Sequence, residues 1–504
     1  MPRGQYTRVA VTGVALASFV VACVLPLGYL VATSLSGANL AAIVLDSRQR
    51  GLLYNTAALG AATALLSTLI GLPLGIGLAR VPMRWKGALR LLATIPMVLP
   101  PYVVGLAWVY LGSRGSLLVA VAILSLVWYP LSMLATEVAV RRIDRRLEEA
   151  GLVVATPERV LRHITLPLAL PSILATALVI FVLAVSEFGV PGLLGVRVYA
   201  TEVFTAFAAL YDFDRAILLT MPLLLLCIAA ATAAAVMFGD RLVATRRSGM
   251  RLQCALDSWR QAAEAGFVLV ISTSLVLPTT VLAGQALQAS WSETFAGSGQ
   301  AIVNSLVYAG IAATIIVTVA CCLGHLLARV GQGRRLVGQA VLVALFAVPS
   351  TLLGVGLIAL WNRSGVLGTV YGTDVMLVLG YVARFLPIAV LSLAATARAV
   401  PESHEEAASV GGAGWLRMMS AIVLPQMKLG IAVMWVITFV LAFGELGSSI
   451  LVAPPGETTL PIRIYTLIAN APPSQVAALA LLQSAVIVVP IVSLGVVTGL
   501  REPR

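Results

Sequence analysis

Two segments of the chain carry the same ordered set of residues. One runs Glu148-Glu149-Ala150-Gly151 and closes on Ile164-Thr165-Leu166-Pro167; the other runs Glu405-Glu406-Ala407-Ala408, passes Gly412 and closes on Ile422-Val423-Leu424-Pro425. Small residues let a short helix lie close against another surface, much as an amphipathic helix fills a groove. A glycine lets the chain turn into a second helix, and the closing proline suits the first turn of the span that follows, where a missing N–H costs nothing. The first segment is one residue shorter, has Gly151 where the second has Ala408, and has Ala155 where a turn glycine is expected. There, Thr156-Pro157-Glu158 supplies an N-cap, a proline at the first helical position and an early acid. Ser403 to Glu406 also spells a capping box, so Glu406 reads as a helix start as well as a docking residue. His404, Glu405 and Glu406 are adjacent, and adjacent residues on a helix point apart, so they do not read as a metal site.

Two further acids, Glu187 and Glu445, stand at the ends of apolar runs, where a carboxylate is costly and is a functional candidate by default. Such a pair would suit a hard cation with affinity for oxygen ligands. The other reading is that both lie in loops, where they cap a re-entrant turn or help to dock a partner. Arg384 lies inside an apolar run and must find a partner or a wet cavity. An ion pair, or contact with unwound backbone near Pro387, is expected for it, with anion binding the other reading. No other metal site is expected. A phosphate-binding loop needs Gly-Lys-Ser/Thr; the chain has two lysines, Lys86 and Lys428, preceded by Trp85 and Met427, so any nucleotide must be bound by another subunit.

These residues must be positioned by elements immersed in lipid. Of 504 residues 60% are hydrophobic and 11% charged, against roughly 25% charged in a soluble domain, and the mean hydropathy is +1.00. That excludes a soluble enzyme, a disordered chain and a secreted disulfide scaffold, and the strength of the apolar signal argues against an outer-membrane barrel. A helix needs about 20 apolar residues to cross the hydrocarbon core. Twelve runs qualify, near 9–33, 53–78, 91–111, 117–136, 168–186, 216–238, 266–288, 302–327, 340–361, 375–395, 427–446 and 475–499. Placing both termini in the cytoplasm puts most of the 33 Lys+Arg in inner loops, as the positive-inside rule requires. The net charge of +12 is thus topological, and no basic soluble segment suggests nucleic acid. The run from Val9 to Thr33 exceeds the 7–15 or so apolar residues of a signal peptide and is expected to be retained as the first span. Cys23, Cys227, Cys254, Cys321 and Cys322 have no metal spacing and read as packing residues.

The chain repeats. Asn55-Thr-Ala-Ala-Leu through Ala79-Arg80-Val81 matches Asn304-Ser-Leu-Val-Tyr through Ala328-Arg329-Val330 without a gap, and the same offset pairs Pro100 with Pro349, Gly105 with Gly354 and Arg114 with Arg363. Further on, Phe181-Val-Leu-Ala matches Phe439-Val-Leu-Ala and pairs Glu187 with Glu445. The expectation is an all-α membrane protein of 12 transmembrane helices in two pseudo-symmetric six-helix repeats: residues 1–238, a basic cytoplasmic linker at 239–265, and residues 266–504. Two copies inserted the same way are related by an axis along the membrane normal, with a shared path between them.

The paired segments resemble the EAA loops of ABC-transporter permeases that work with a substrate-binding protein. The second copy fits every position of that pattern; the first departs from it at Gly151, at Ala155 and in length. The resemblance implies that Glu148, Glu149, Ala150, Gly151 and Pro167, with Glu405, Glu406, Ala407, Ala408, Gly412 and Pro425, couple the chain to a dimer of ATPase subunits on the cytoplasmic side. Those subunits would bind ATP and Mg; no cofactor is expected in this chain, which is not itself an enzyme. An extracytoplasmic substrate-binding protein would dock on the outer face, and the setting implied is a bacterial cytoplasmic (inner) membrane. Fusion of two six-span halves looks most like the ferric-iron permeases and the thiamine permease. Ser186-Glu187-Phe188-Gly189-Val190-Pro191-Gly192, Thr201-Glu202-Val203-Phe204, Gly444-Glu445-Leu446-Gly447, Thr459-Leu460-Pro461-Ile462-Arg463 and Val476-Ala477-Ala478-Leu479-Ala480 are similar to the ferric-iron type. Ferric iron is the expected cargo, with thiamine or another small ion as the alternative. A major-facilitator secondary transporter is the rival class: twelve spans in two parallel six-span halves describe it too, and Gly239-Asp240-Arg241 with Arg246-Arg247 is faintly similar to its basic loop signature, although that segment follows the sixth span here and not the second or eighth.

Overall fold

In lipid every backbone polar group must be satisfied within its own element, which leaves helices as the solution for apolar runs of this length. The structure, a computed structural model, describes residues 3–37, 47–113, 115–210, 212–242 and 257–499, and every regular element among them is helical. Nine helices of the described residues are long and apolar enough to cross a membrane: Tyr6–Leu35, Ser47–Arg80, Leu117–Arg141, Pro157–Val185, Arg260–Ala286, Trp291–Arg329, Asp374–Ala399, Trp415–Gly444 and Pro473–Gly495. Two more candidates are broken. Lys86–Val98 and Pro101–Tyr110 meet at 89°, and Gln332–Phe346 and Ser350–Trp361 meet at 91°. Pro100 and Pro349, paired in the sequence repeat, take the same extended N-cap position at the two breaks. The total is nine, or eleven with each bent pair as one crossing, where twelve were expected. The difference is the run at 216–238, which falls in the helix Phe213–Leu242 with a described apolar stretch of Arg215–Ala230.

Prolines also mark four wide turns inside the long helices. Each π-turn, Val20–Val24, Leu161–Thr165, Ser272–Val276 and Met419–Val423, is followed directly by Leu-Pro, at Pro26, Pro167, Pro278 and Pro425. A proline lacks the N–H for the helical ladder and its ring crowds the carbonyl four residues back, so the preceding turn opens by one residue. Pro167 and Pro425 were expected to begin a span. Instead the short loop helix runs straight through the π-turn into the span, and the proline lies within one continuous helix.

The chain forms two compact units that are interleaved in sequence. One comprises Leu45–Glu202, Leu225–Ser290 and Pro472–Arg504; the other comprises Met1–Val44, Val203–Leu224 and Trp291–Ala471. The repeat and the packed unit are therefore different partitions of the chain: the N-terminal helix packs with elements of the second copy, while Arg260–Ala286 and the last helix pack with the first. Of the linker expected at 239–265, residues 243–256 lie outside the described residues, as do Arg114 and Cys254. None of Cys23, Cys227, Cys321 and Cys322 is in a disulfide.

Within the first unit, Ser47–Arg80 packs against Leu117–Arg141 and Leu166–Val185. The contact is close because Gly71 and Gly75 stand one turn apart; a Cβ at Gly71 would lie 2.6 Å from the Tyr129 carbonyl oxygen, and one at Gly75 2.5 Å from that of Met133. Small residues one turn apart are the usual means of close helix approach in lipid. Within the second unit, Trp291–Arg329 packs in the same way against Asp374–Ala399 and Leu424–Gly444, with Gly324 in the place of Gly75. Each arrangement brings the end of a long helix, Arg80 or Arg329, beside an acid-bearing loop.

Candidate functional site

Both acid-bearing loops fold as two short helices joined by an elbow. In the first, Asp144 caps the helix Arg145–Leu152, its Oδ1 accepting from the Arg146 N–H at 3.0 Å, and Glu148 falls in the first turn, where the helix dipole favours an acid. Helix resumes at Pro157 with Thr156 in the N-cap position as expected, although its hydroxyl makes no capping bond. In the second loop the helix is Glu402–Val410 with Pro401 at the N-cap. The capping box expected from Ser403 to Glu406 is absent, because the helix starts before Ser403 and places it inside the first turn.

The two elbows turn by different means. Gly412 has φ +77°, the Ala413 N–H donates to the Ala408 carbonyl at 3.0 Å, and the Gly412 N–H donates to that of Ser409 at 3.0 Å. This is a Schellman ending, which requires a left-handed residue and explains the glycine. In the shorter first loop the N–H groups of Val154 and Ala155 both return to the Gly151 carbonyl, at 3.2 and 2.9 Å. Gly151 itself lets that elbow close: a Cβ there would meet Ile164 Cδ1 at 2.8 Å and Val160 Cγ2 at 3.0 Å.

The adjacent acids of each pair face opposite ways. Glu148 is buried, and its carboxylate accepts from Arg80 Nη2 at 2.7 and 2.8 Å and from the Thr165 hydroxyl at 2.8 Å. Glu405 accepts from Arg329 through Nε at 2.9 Å and through Nη2, and its other oxygen lies 3.1 Å from His325 Nε2. Both arginines also donate to the carbonyl that ends the preceding helix, Arg80 to Val140 at 3.0 Å and Arg329 to Val400 at 2.9 Å. Burial opposes ionisation of Glu405, but the hydrogen bonds from Arg329 and His325 outweigh it and hold the carboxyl below its ordinary range. Glu149, Ala150, Glu406 and Ala407 are exposed on the other side of their helices, and Ala408 is half-buried. Beyond them the matching valines Val153 and Val410 are 83% and 90% exposed. Each loop is thus held rigidly from behind and presents an acid, small residues and a valine outward, the composition of a docking surface. The partners of Glu148 and Glu405 were missed from sequence alone. The available signal was the repeated Ala-Arg-Val ending that places Arg80 and Arg329 equivalently.

At the far end of the helix Pro157–Val185, Glu187 Oε1 accepts from the Gly189 N–H at 2.9 Å and more weakly from that of Val190 at 3.4 Å, capping the short helix Gly189–Leu194. Glu445 does the same for Ser449–Val452, accepting from the Ser448 N–H at 3.0 Å and its hydroxyl at 3.3 Å. Each short helix packs against the broken helix of its own unit at the paired glycines, Val190 on Gly105 and Leu451 on Gly354. The geometry matches the capping reading of these acids. Among the described residues no group of three or more His, Cys, Asp or Glu could hold a metal ion. Arg384 Nη1 donates to the carbonyls of Phe346 (3.1 Å) and Val348, at the 91° break, with its guanidinium 5.3 Å from the Phe346 ring. It therefore engages unwound backbone, as expected, although at the neighbouring broken helix and not at Pro387.

Several known transport proteins are similar to this chain. The Fe(3+)-transport system permease protein FbpB 2 of Haemophilus influenzae is 23% identical over 431 residues, covering 83% of this chain and 84% of the relative. The ferric transport system permease protein FbpB of Actinobacillus pleuropneumoniae is 23% identical over 77% of this chain and 62% of the relative. The molybdate/tungstate transport system permease protein WtpB of Pyrococcus abyssi is 31% identical but over 29% of this chain and 59% of the relative. The model of one family, the binding-protein-dependent transport system inner membrane components, matches twice, at residues 71–251 and 320–502, each time taking in one acid-bearing loop. The chain belongs to that family.

Proposed function

We propose that the chain is the membrane-spanning subunit of an ATP-driven, binding-protein-dependent importer whose cargo is ferric iron. The observation that carries the cargo is the extent of likeness: the ferric permeases match along most of the chain, through both copies, whereas the molybdate/tungstate permease matches 29% of the chain, less than one copy. The two outward-facing loop surfaces support the coupling. Glu149 with Ala150 and Gly151, and Glu406 with Ala407, Ala408 and Gly412, would dock a dimer of ATPase subunits that binds ATP and Mg. This chain contributes no cofactor and no nucleotide site. In this reading Phe213–Leu242 supplies the twelfth crossing, both termini lie in the cytoplasm, the loops face the cytoplasm, and the binding protein docks at the opposite end, where Glu187 and Glu445 cap their turns. Closure of the ATPase dimer on ATP draws the loops together. That shifts the membrane part only because its two states differ in their contacts with the ATPase. The family match leaves the secondary-transporter reading without support.

The test is transport into vesicles that contain the chain and its ATPase, with ATP inside and the loaded binding protein outside. Accumulation of labelled ferric iron, dependent on ATP and absent with labelled thiamine, is the expected result. Accumulation of thiamine in place of iron overturns the cargo, and uptake that needs no ATP overturns the mechanism.

A further inference from the structure

The same anchor is built twice with its third hydrogen bond supplied from opposite sides. In the first loop the carboxylate of Glu148 receives Arg80 and, from the span that follows the loop, Thr165; the long helix carries Ile76 one turn before Arg80, where it offers no donor. In the second loop Glu405 receives Arg329 and, from the long helix, His325, which stands at the position of Ile76; Val423 stands at the position of Thr165. All four of Ile76, Thr165, His325 and Val423 are buried. A polar donor has been exchanged for an apolar residue on one side and the reverse on the other, so each carboxylate keeps both an arginine and one further donor. A loop that needed only to be soluble and exposed would not require this compensation, because a carboxylate turned to water finds its donors there.

We propose that Arg80 and Arg329 are positioning residues for coupling. Each joins its docking helix, the end of the preceding span and the end of the long helix into one body, with Thr165 and His325 completing the grip. Force applied to the exposed face of the loop then moves Ser47–Arg80 or Trp291–Arg329 instead of swinging the elbow. The glycines beside these points, Gly75 and Gly324, bring each long helix against that same preceding span, Leu117–Arg141 or Asp374–Ala399, so the displacement passes into the body of its own unit. This deepens the functional reading above and rests on it.

The test uses the full permease with its ATPase in vesicles and reads labelled ferric iron transported per ATP hydrolysed. Arg80→Gln and Arg329→Gln are expected to keep the ATPase bound, since the exposed faces are unaltered, and to lose iron transport per ATP while hydrolysis continues. His325→Ile is expected to lose coupling at the second loop, and His325→Ile with Val423→Thr to restore it, because the pair recreates the first loop's donor. An unchanged ratio in both arginine variants overturns the proposal, as does a double variant no better than His325→Ile alone. If the arginine variants fail to insert, the transplanted donor carries the test. A wild-type complex that transports no iron under ATP marks failure of the functional reading itself, a result distinct from coupling that persists in every variant.

Discussion

Replacing Glu148 by glutamine should open the first acid-bearing loop, while the same change at its neighbour Glu149 should not. The Glu148 side chain is 3% exposed and that of Arg80 is 8% exposed, with contacts of 2.7 Å to the guanidinium and 2.8 Å to the Thr165 hydroxyl. Glutamine keeps one acceptor oxygen but no charge, so the buried Arg80 guanidinium loses its counter-ion and retains neutral acceptors such as the Val140 carbonyl. Breaking a buried ion pair by removing one partner costs about 3–5 kcal/mol. At about 1.4 kcal/mol per decade, local opening of the loop becomes roughly 10² to 10⁴ times more frequent. Hydrogen exchange of the amides in Arg145–Leu152 reads this directly in the purified, membrane-embedded protein. Glu149 is exposed, and Glu149→Gln should leave exchange within a factor of about two. Equal protection in the two variants, or wild-type protection in Glu148→Gln, would refute the assignment of opposite roles to adjacent acids.

Other outcomes follow from the same geometry. Glu406→Lys should insert normally and lose co-purification with the ATPase and stimulation of its hydrolysis, measured on the detergent-extracted complex. Gly412→Ala forces a left-handed residue with a Cβ, a penalty of about 1–2 kcal/mol, and should speed proteolytic nicking of the second elbow, whereas Ala155→Gly in the first should not slow it. Because the folded Glu405 carboxyl lies below its ordinary range, its ion pair stabilises the second loop above that range and the contribution is lost as pH falls through the lowered value; exchange in Glu402–Val410 should stay protected from pH 7 into the mildly acidic range and rise only below it. Glu445→Gln retains a capping oxygen and removes a charge, so iron uptake should persist; uptake abolished in a well-inserted variant would assign Glu445 to the cation path instead.

Length and hydropathy made most spans legible, because a run of apolar residues has one solution in lipid. They could not reveal that 91–111 and 340–361 are each broken near 90°, since both limbs are equally apolar; the paired prolines Pro100 and Pro349 were the visible sign. The repeat was legible from Ala-Arg-Val and the two Phe-Val-Leu-Ala runs, yet not the exchange of the N-terminal helix into the unit of the second copy. An apolar helix carries no mark of which neighbour it will meet. At the loops, residue types pointed to docking, and Glu149 and Glu406 are exposed as a docking face needs. The inward role of Glu148 and Glu405 depends on arginines far away in sequence, and no local pattern encodes such a contact. Local capping rules also misjudged Ser403, where Pro401 had already started the helix.

ATP-coupled import of ferric iron through this chain is the proposed function. Uptake of labelled ferric iron by iron-starved cells that lack other iron routes measures it most directly, comparing cells without the chain, with the wild type, and with Glu406→Lys. Loss of uptake on deletion, restoration by the wild type and none by Glu406→Lys are expected. Uptake that is unchanged by deletion in those cells would contradict it.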